Sequence, residues 1–414
     1  ARENLEDKLH HAWSPISHLN SVMNSVELRD AHTACLAMIT DYYTEVGQNR
    51  SLFEAYQAIA ESAQYDSLSP AGRKVIDNAL RDFRLSGIDL PESEQARFSE
   101  LAREISGLNS VFNNNVLDAT QAWQKLITEE SDLPGVPHNA LVSMHQNAVD
   151  KGLQGYLLTL DAPCYLAIMT HCDDRTLRHE LYTAFGTRAS NFGPNAGEFD
   201  NSDVMHALLS ARLEQAKLLG FKNYAELSVA RKMARSAEEV LGFLKNLAEK
   251  SRPFARNDFE TLVSFADKNG GPEDLKPWDV PYHAEKLKKA SFDISEEELR
   301  PYFPAPTVLK GMFEVVRRLF DIEVVPCDGM SVWHQDVLTY EIRKDGVSIA
   351  RFYFDLYARA SKRGGAWMDD CRVRRVDASG SLQLPVAYLT CNFGGPLGDD
   401  PALLSHNEVV TLFH

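Results

Sequence analysis

Apolar residues recur every three or four positions along most of the chain and begin to alternate only near its end. Phe98, Leu101, Ile105, Leu108 and Phe112 are spaced 3, 4, 3 and 4, which places them on one stripe of a helix. Upstream, Ser69-Pro70 supplies an N-cap and an N1 proline for a helix carrying Val75, Ile76, Ala79, Leu80 and Phe83, and Gly87 ends it. Ser236 with Glu239, ahead of Val240, Leu241, Leu244 and Leu247, has capping-box spacing, and Ser295 with Glu298 repeats it. Leu309, Met312, Phe313, Val316, Leu319 and Phe320 form a further stripe. All of these stripes are expected to pack into cores. Turn residues cluster at 132–138, 192–197 and 268–272, and these breaks are short enough to punctuate one compact body.

After Val332 the period changes from 3.6 to 2. Leu338 to Arg343, an Asp345-Gly346 turn and Val347 to Tyr357 predict a β-hairpin. In its second arm Ala350, Phe352, Phe354 and Leu356 alternate with Arg351, Tyr353, Asp355 and Tyr357, which predicts one apolar and one polar face. Residues 385–393 (PVAYLTCNF) read as another strand. Ser405-His406-Asn407-Glu408 is a capping box that opens a last helix running through Val409 and Leu412 to His414. The pattern therefore predicts a mainly α protein with a small β-sheet directly before its final helix.

Composition narrows the function classes. With 414 residues the chain is long enough for a sizeable core, and 44% hydrophobic with 25% charged residues is a globular balance. A net charge of −16 argues against nucleic acid as a partner, because phosphate binding needs cationic surface. No apolar run approaches the roughly 20 residues that cross a bilayer, so no membrane partner is expected. The six cysteines form no CxxC pair, which suits reduced thiols and a cytoplasmic location.

Several common sites are missing: there is no GxGxxG, GxxxxGK[ST] or GxSxG, and Gly394-Gly395-Pro396 reads as a turn. Cys164, His171 and Cys172 match no zinc spacing. His179-Glu180 starts like HExxH, but Thr183 stands where the second histidine would be. The final helix differs. An apolar helix that reaches a histidine directly after a small sheet is the lead-in of a zincin active-site helix. That chemistry needs two imidazoles one turn apart on one face and a glutamate to activate the metal-bound water. His414 alone cannot complete this pattern.

Six blocks extend the signal over the chain: 72–118, 187–200 (TRASNFGPNAGEFD), 278–283 (WDVPYH), 352–371 (FYFDLYARASKRGGAWMDDC), 385–393 and 401–414 (PALLSHNEVVTLFH). In order and content they resemble the thimet oligopeptidase and neurolysin family of zinc metallopeptidases. The resemblance implies a two-lobed helical zincin-type peptidase with a deep channel. One lobe would comprise 1–88 and 290–414, and the other 89–289. It implies one zinc ion with His414 as its first histidine ligand. The general-base glutamate, the other ligands and the transition-state-stabilising side chains would lie beyond residue 414, so the chain is expected to be part of a longer enzyme. It further implies hydrolysis of internal bonds in short peptides, released signal peptides included, by a monomer.

One role can be argued within the chain. Zincins bind the substrate backbone as an added strand on the edge of the small sheet. Gly364, Gly365 and Ala366, leading into Trp367, are the candidate substrate-binding stretch, because small residues let two backbones approach. The same glycine pair could equally mark a plain turn. A non-catalytic helical peptide-binding or scaffold module stays open as the alternative to a peptidase, and the residues after His414 would discriminate the two.

Overall fold

The computed structural model describes residues 2–377, 379–398 and 400–414. Its N-terminal part is a run of helices: α1 (Arg2–Val22), α2 (Val26–Gly47), α3 (Arg50–Ala60), α4 (Ala63–Ser67) and α5 (Pro70–Leu85). Three of them start where a side-chain oxygen takes an otherwise unpaired N–H: Ser25 from Leu28, Asn49 from Leu52 and Ser69 from Gly72. Gly87, at φ 84°, follows α5 in the left-handed region that lets the chain leave the helix. Phe53, Ile76, Leu80, Phe83 and Ile88 form a small core between α3 and α5.

α6 (Glu92–Ala122) spans 31 residues and packs against α2. β1 (Gln124–Ile127) and β2 (Tyr156–Thr159) pair antiparallel beyond it, across an intervening helix, a pairing that the apolar pattern did not announce. α7 (His138–Val149), α8 (Ala162–His171) and α9 (Arg175–Gly186) enclose a core of Trp123, Leu133, Met144, Leu158, Ile168 and Leu181. α10 (Ser202–Leu218), α11 (Tyr224–Val229), α12 (Ala237–Lys268) and α13 (Val280–Phe292) follow, with α10 lying along α6. The fully buried Asp279 accepts hydrogen bonds from Arg175 and Arg178, and Arg178 also donates to the Cys172 carbonyl, which fastens α9 to the start of α13.

The stripe on α12 departs from expectation. Leu241, Leu244 and Leu247 are half exposed because every position from 241 to 261 faces solvent. The helix is buried only near its C-terminus, at Leu262 and Ala266. Its capping box is also incomplete: Ser236 accepts the Glu239 N–H, but the Glu239 carboxylate takes the N–H of Arg235. Leu319 and Phe320 are likewise exposed, whereas Leu309 of the same stripe is buried.

α14 (Glu296–Leu299) and α15 (Ala305–Phe320) precede a five-stranded sheet. The strands are β3 (Glu323–Pro326), β4 (Leu338–Lys344), β5 (Val347–Tyr357), β6 (Trp367–Arg372) and β9 (Val386–Phe393), in the order β3-β4-β5-β9-β6. A two-stranded ribbon of β7 (Arg375–Val376) and β8 (Leu382–Gln383) lies between β6 and β9 in sequence, and α16 (His406–Phe413) ends the chain. All neighbours in the large sheet run antiparallel except β5 and β9. Asp345 and Gly346, at φ 52° and 76°, make the tight turn read from the sequence. With 59% of its residues helical, the chain is mainly α with a small mixed sheet.

One face of the sheet is apolar, as the alternation predicts: Phe352, Phe354, Leu356 and Phe393 pack with Val308 and Leu309 of α15 and with Leu404 and Leu412. The other face is not left to water. His18 of α1 stacks on Tyr388 at 3.7 Å between ring centres and meets Trp333 edge-on, and Trp333 and Tyr388 also contact Tyr353. Beneath them Asp355, 1% exposed, accepts two hydrogen bonds of 2.6 Å from Arg359, one of 2.7 Å from Lys362 and one of 2.9 Å from the Trp333 indole. Burial opposes ionisation of Asp355, yet these donors hold its carboxyl below the usual range. Burial pushes Lys362 down to about 8 despite the attraction of Asp355.

Removing the carboxylate strands the buried Lys362 and the part-buried Arg359, so Asp355→Ala is expected to destabilise the fold by about 3–5 kcal/mol in urea unfolding. His18 gives a pH dependence. Burial pushes its imidazole down to about 4, and neither ring nitrogen has a hydrogen-bond partner. As pH falls from 6.5 towards 4 the unfolded chain therefore takes up a proton that the folded chain refuses, and stability drops by about 3 kcal/mol. Replacing His18 by Phe should remove that part of the decline, read as a smaller shift of the urea midpoint between pH 7 and pH 4.5.

Candidate active site

The sheet and α16 form one wall of a cleft of about 640 Å³. Gly365 and Ala366, the end of β9 at Asn392 and Phe393, the Gly394-Gly395 turn, and Asn407, Glu408 and Thr411 of α16 line this side. The opposite wall comes from α7 and α8, with Asn139, Ser143, Met144, Leu166 and His171, and from Glu296, Glu297 and Arg300. Residues 137–171 and 365–411, far apart in sequence, thus face each other.

Local chemistry fixes α16. Ser405 accepts the Glu408 N–H, and the Glu408 carboxylate accepts the Ser405 N–H at 2.7 Å, completing the capping box. The second carboxylate oxygen of Glu408 accepts the Gly394 N–H at 3.2 Å. Arg300 reaches Glu408 at 3.4 Å and donates to the Leu403 carbonyl at 3.0 Å. Glu296 takes the His406 N–H at 2.8 Å. Burial disfavours the charged form of Glu296, but hydrogen bonds from Lys288 and the His406 backbone hold its carboxyl below the usual range. Across the cleft, burial pushes the His171 imidazole down, with Glu297 at 3.8 Å opposing that shift.

His414 caps α16, its N–H bonded to the Val410 carbonyl at 3.0 Å, and it is exposed. It does not line the cleft directly, but positions 407, 411 and 414 are spaced 4 and 3, and the first two do line it. Spacing alone relates His414, which follows the last residue of α16, to these cleft-lining positions. No group of three or more His, Cys, Asp or Glu side chains that could hold a metal comes together among the described residues. A single imidazole does not make a zinc site, so the residues present do not by themselves fit the metal.

Gly364, Gly365 and Ala366 form the bend that leads into β6, with Gly365 at φ 105°. A glycine is needed there for its backbone conformation, since the space beside its Cα is open. β6 is the edge of the sheet. α1 reaches that edge at Asp370: Ser14 donates to the Asp370 carbonyl at 2.6 Å, and His10 lies 3.0 Å from the Asp370 carboxylate. Ala366, just before the strand, and Met368 within it are exposed. The bend and the edge strand are thus consecutive, so the turn and strand-edge readings of the glycine pair describe adjoining parts of one feature.

The remaining sequence candidates have structural partners. His179 lies against Trp278 at 3.9 Å, and Glu180 pairs with Lys125 at 2.6 Å. All six cysteines are unpaired, and burial pushes the Cys164 thiol up to about 12. Arg300 and Glu296 belong to the site and carried no motif, and Asn392 lay in the 385–393 block without being singled out. Only the spacing of Glu408 from Ser405 marked a residue of this group in advance.

Comparison with known proteins assigns the family. Residues 168–414 match the profile of peptidase family M3, and residues 2–95 match that of the neurolysin/thimet oligopeptidase N-terminal domain. The chain is 50% identical over 409 residues to oligopeptidase A of Haemophilus influenzae and 49% identical over 411 residues to oligopeptidase A of Escherichia coli K12. Each alignment covers 99% of this chain and 60% of the relative, so the chain spans about three-fifths of the relatives' length. The solved structure of PZ peptidase A with an inhibitor has the same fold, at a TM-score of 0.51 and 15% identity, over 99% of this chain and 55% of that one.

Proposed function

This chain belongs to peptidase family M3, and on that basis we propose that it forms part of a zinc-dependent endopeptidase acting on internal bonds of short peptides, released signal peptides among them. The observation that carries the reading is the cleft, in which Gly365 and Ala366, directly before the edge strand β6, share one wall with Asn407, Glu408 and Thr411 of α16. An extended peptide would pair with the backbone at Gly365, Ala366 and Trp367, reading main chain rather than side chains. His414 is the residue of this chain assigned to zinc, and the other ligands are assigned to residues outside these 414. The enzyme would work in the cytoplasm as a monomer.

The intact protein is expected to cleave short unstructured peptides, to lose that activity on chelation and to regain it with zinc. Hydrolysis that survives exhaustive chelation, with no zinc in metal analysis, would overturn the metal assignment. A Gly365→Pro variant tests the edge. Proline fixes φ near −65°, against 105° at this position. Its KM should rise or its turnover vanish while zinc content stays that of the wild type; unchanged kinetics would remove Gly365 from the site.

A further inference from the structure

We infer that Asn392 is the positioning residue that sets the peptide-binding shape of the Gly364–Ala366 bend, an inference that rests on the peptidase reading above. Asn392 sits near the end of β9, in the strand that β6 pairs with. Its carboxamide nitrogen donates to the Arg363 carbonyl at 3.0 Å and to the Gly365 carbonyl at 2.7 Å. The two carbonyls flank Gly364, so one amide group spans the bend from inside.

No other side chain of the described residues donates to these two carbonyls. The bend is held at its N-terminal side by backbone, where Arg363 donates its N–H to the Ser21 carbonyl at 2.8 Å. At its C-terminal side the β6–β9 ladder begins at Trp367, paired with Thr390. Between these anchors Gly365 holds φ 105° in a conformation that a glycine leaves easily. Asn392 fixes the direction of the Gly365 carbonyl and with it the peptide plane between Gly365 and Ala366. That plane presents the first backbone group of the uncovered edge, and Gly365, Ala366 and Asn392 all line the cleft. The side chain touches the bend and is assigned no contact with the reacting bond.

The geometry needs two donors from one small side chain. Aspartate has the same shape and no donor, and it would set a carboxylate against two carbonyl oxygens. In the intact enzyme, Asn392→Asp should raise KM for a short peptide on the order of tenfold while kcat stays within about twofold. Amide hydrogen exchange over 363–367 should quicken while the rest of the sheet keeps its wild-type rates. Gly365→Ala should raise KM as well, and the double variant should show less than the product of the two effects, since both act on one bend. Wild-type KM in an active Asn392→Asp enzyme, or unaltered exchange over 363–367, would overturn this inference and leave the peptidase reading standing. A zinc-loaded wild type that cleaves no peptide would overturn that reading, and the role of Asn392 with it.

Discussion

The buried carboxylate of Asp355 is the constraint on which the rest of the cleft wall depends. It lies near the end of β5, and its three donors arrive from two parts of the chain: Trp333 before the hairpin, and Arg359 and Lys362 after the strand. Arg359 reaches on to the Val22 carbonyl at the end of α1, and Asn24 donates to Ser361. Each charge-assisted bond contributes on the order of 1.5–3 kcal/mol, while desolvating the three charges costs about several kcal/mol each. The sum is close to balance. The cluster therefore matters less as a source of net stability than as a device that permits one arrangement of α1, β5 and residues 357–363.

A second set of polar contacts does for α16 what Asp355 does for residues 357–363. A helix of eight residues is marginal by itself, because nucleation is costly and few hydrogen bonds repay it. Its stability comes from the Ser405–Glu408 box, from Arg300 and Glu296 on a separate segment, and from Leu404 and Leu412 in the sheet core. The direction of α16, and hence of His414, is thus set by partners on two sides. Glu408 links the two sides directly: its carboxylate holds the helix start, the Gly394 turn and Arg300.

What the sequence disclosed follows the range of the forces involved. The β4–β5 hairpin, the Ser69 and Ser405 caps and the strand at 386–393 depend on neighbours within a few residues, so alternation and cap spacing reveal them. The Asp355 cluster, the His18–Tyr388 stack and the Arg300–Glu408 pair join residues up to hundreds of positions apart, and nothing in a linear pattern marks which residues will meet. Tyr353 and Asp355 read as a polar face for this reason; the face is polar, but α1 and Trp333 cover it. On α12 the error runs the other way. An apolar stripe states that a helix has something to bury and does not state that a partner lies within the same 414 residues. Of the candidate site residues, Gly365 and Ala366 line the cleft and His414 does not, and all three were singled out because each sits in a distinctive local block. Asn392, Glu296 and Arg300 were not.

The form of the edge also limits what kind of recognition this wall can supply. β6 offers a short run of free backbone groups before Asp370, where Ser14 and His10 of α1 meet the strand. A pairing segment that short gives few hydrogen bonds, each worth about 1 kcal/mol net. On the proposed reading, affinity for an extended peptide would draw on the opposite wall as well, where Met144 and Leu166 offer apolar surface and Glu297 and Arg300 offer charge. Because α7 and α8 stand on a core separate from that of the sheet, the spacing of the two walls decides whether both can be engaged at once. A single extended strand can satisfy both walls, while a folded domain presents no such free strand to an edge already half closed by a helix. On the proposed reading, discrimination in favour of short, unstructured peptides would follow from this geometry before any side-chain preference is considered.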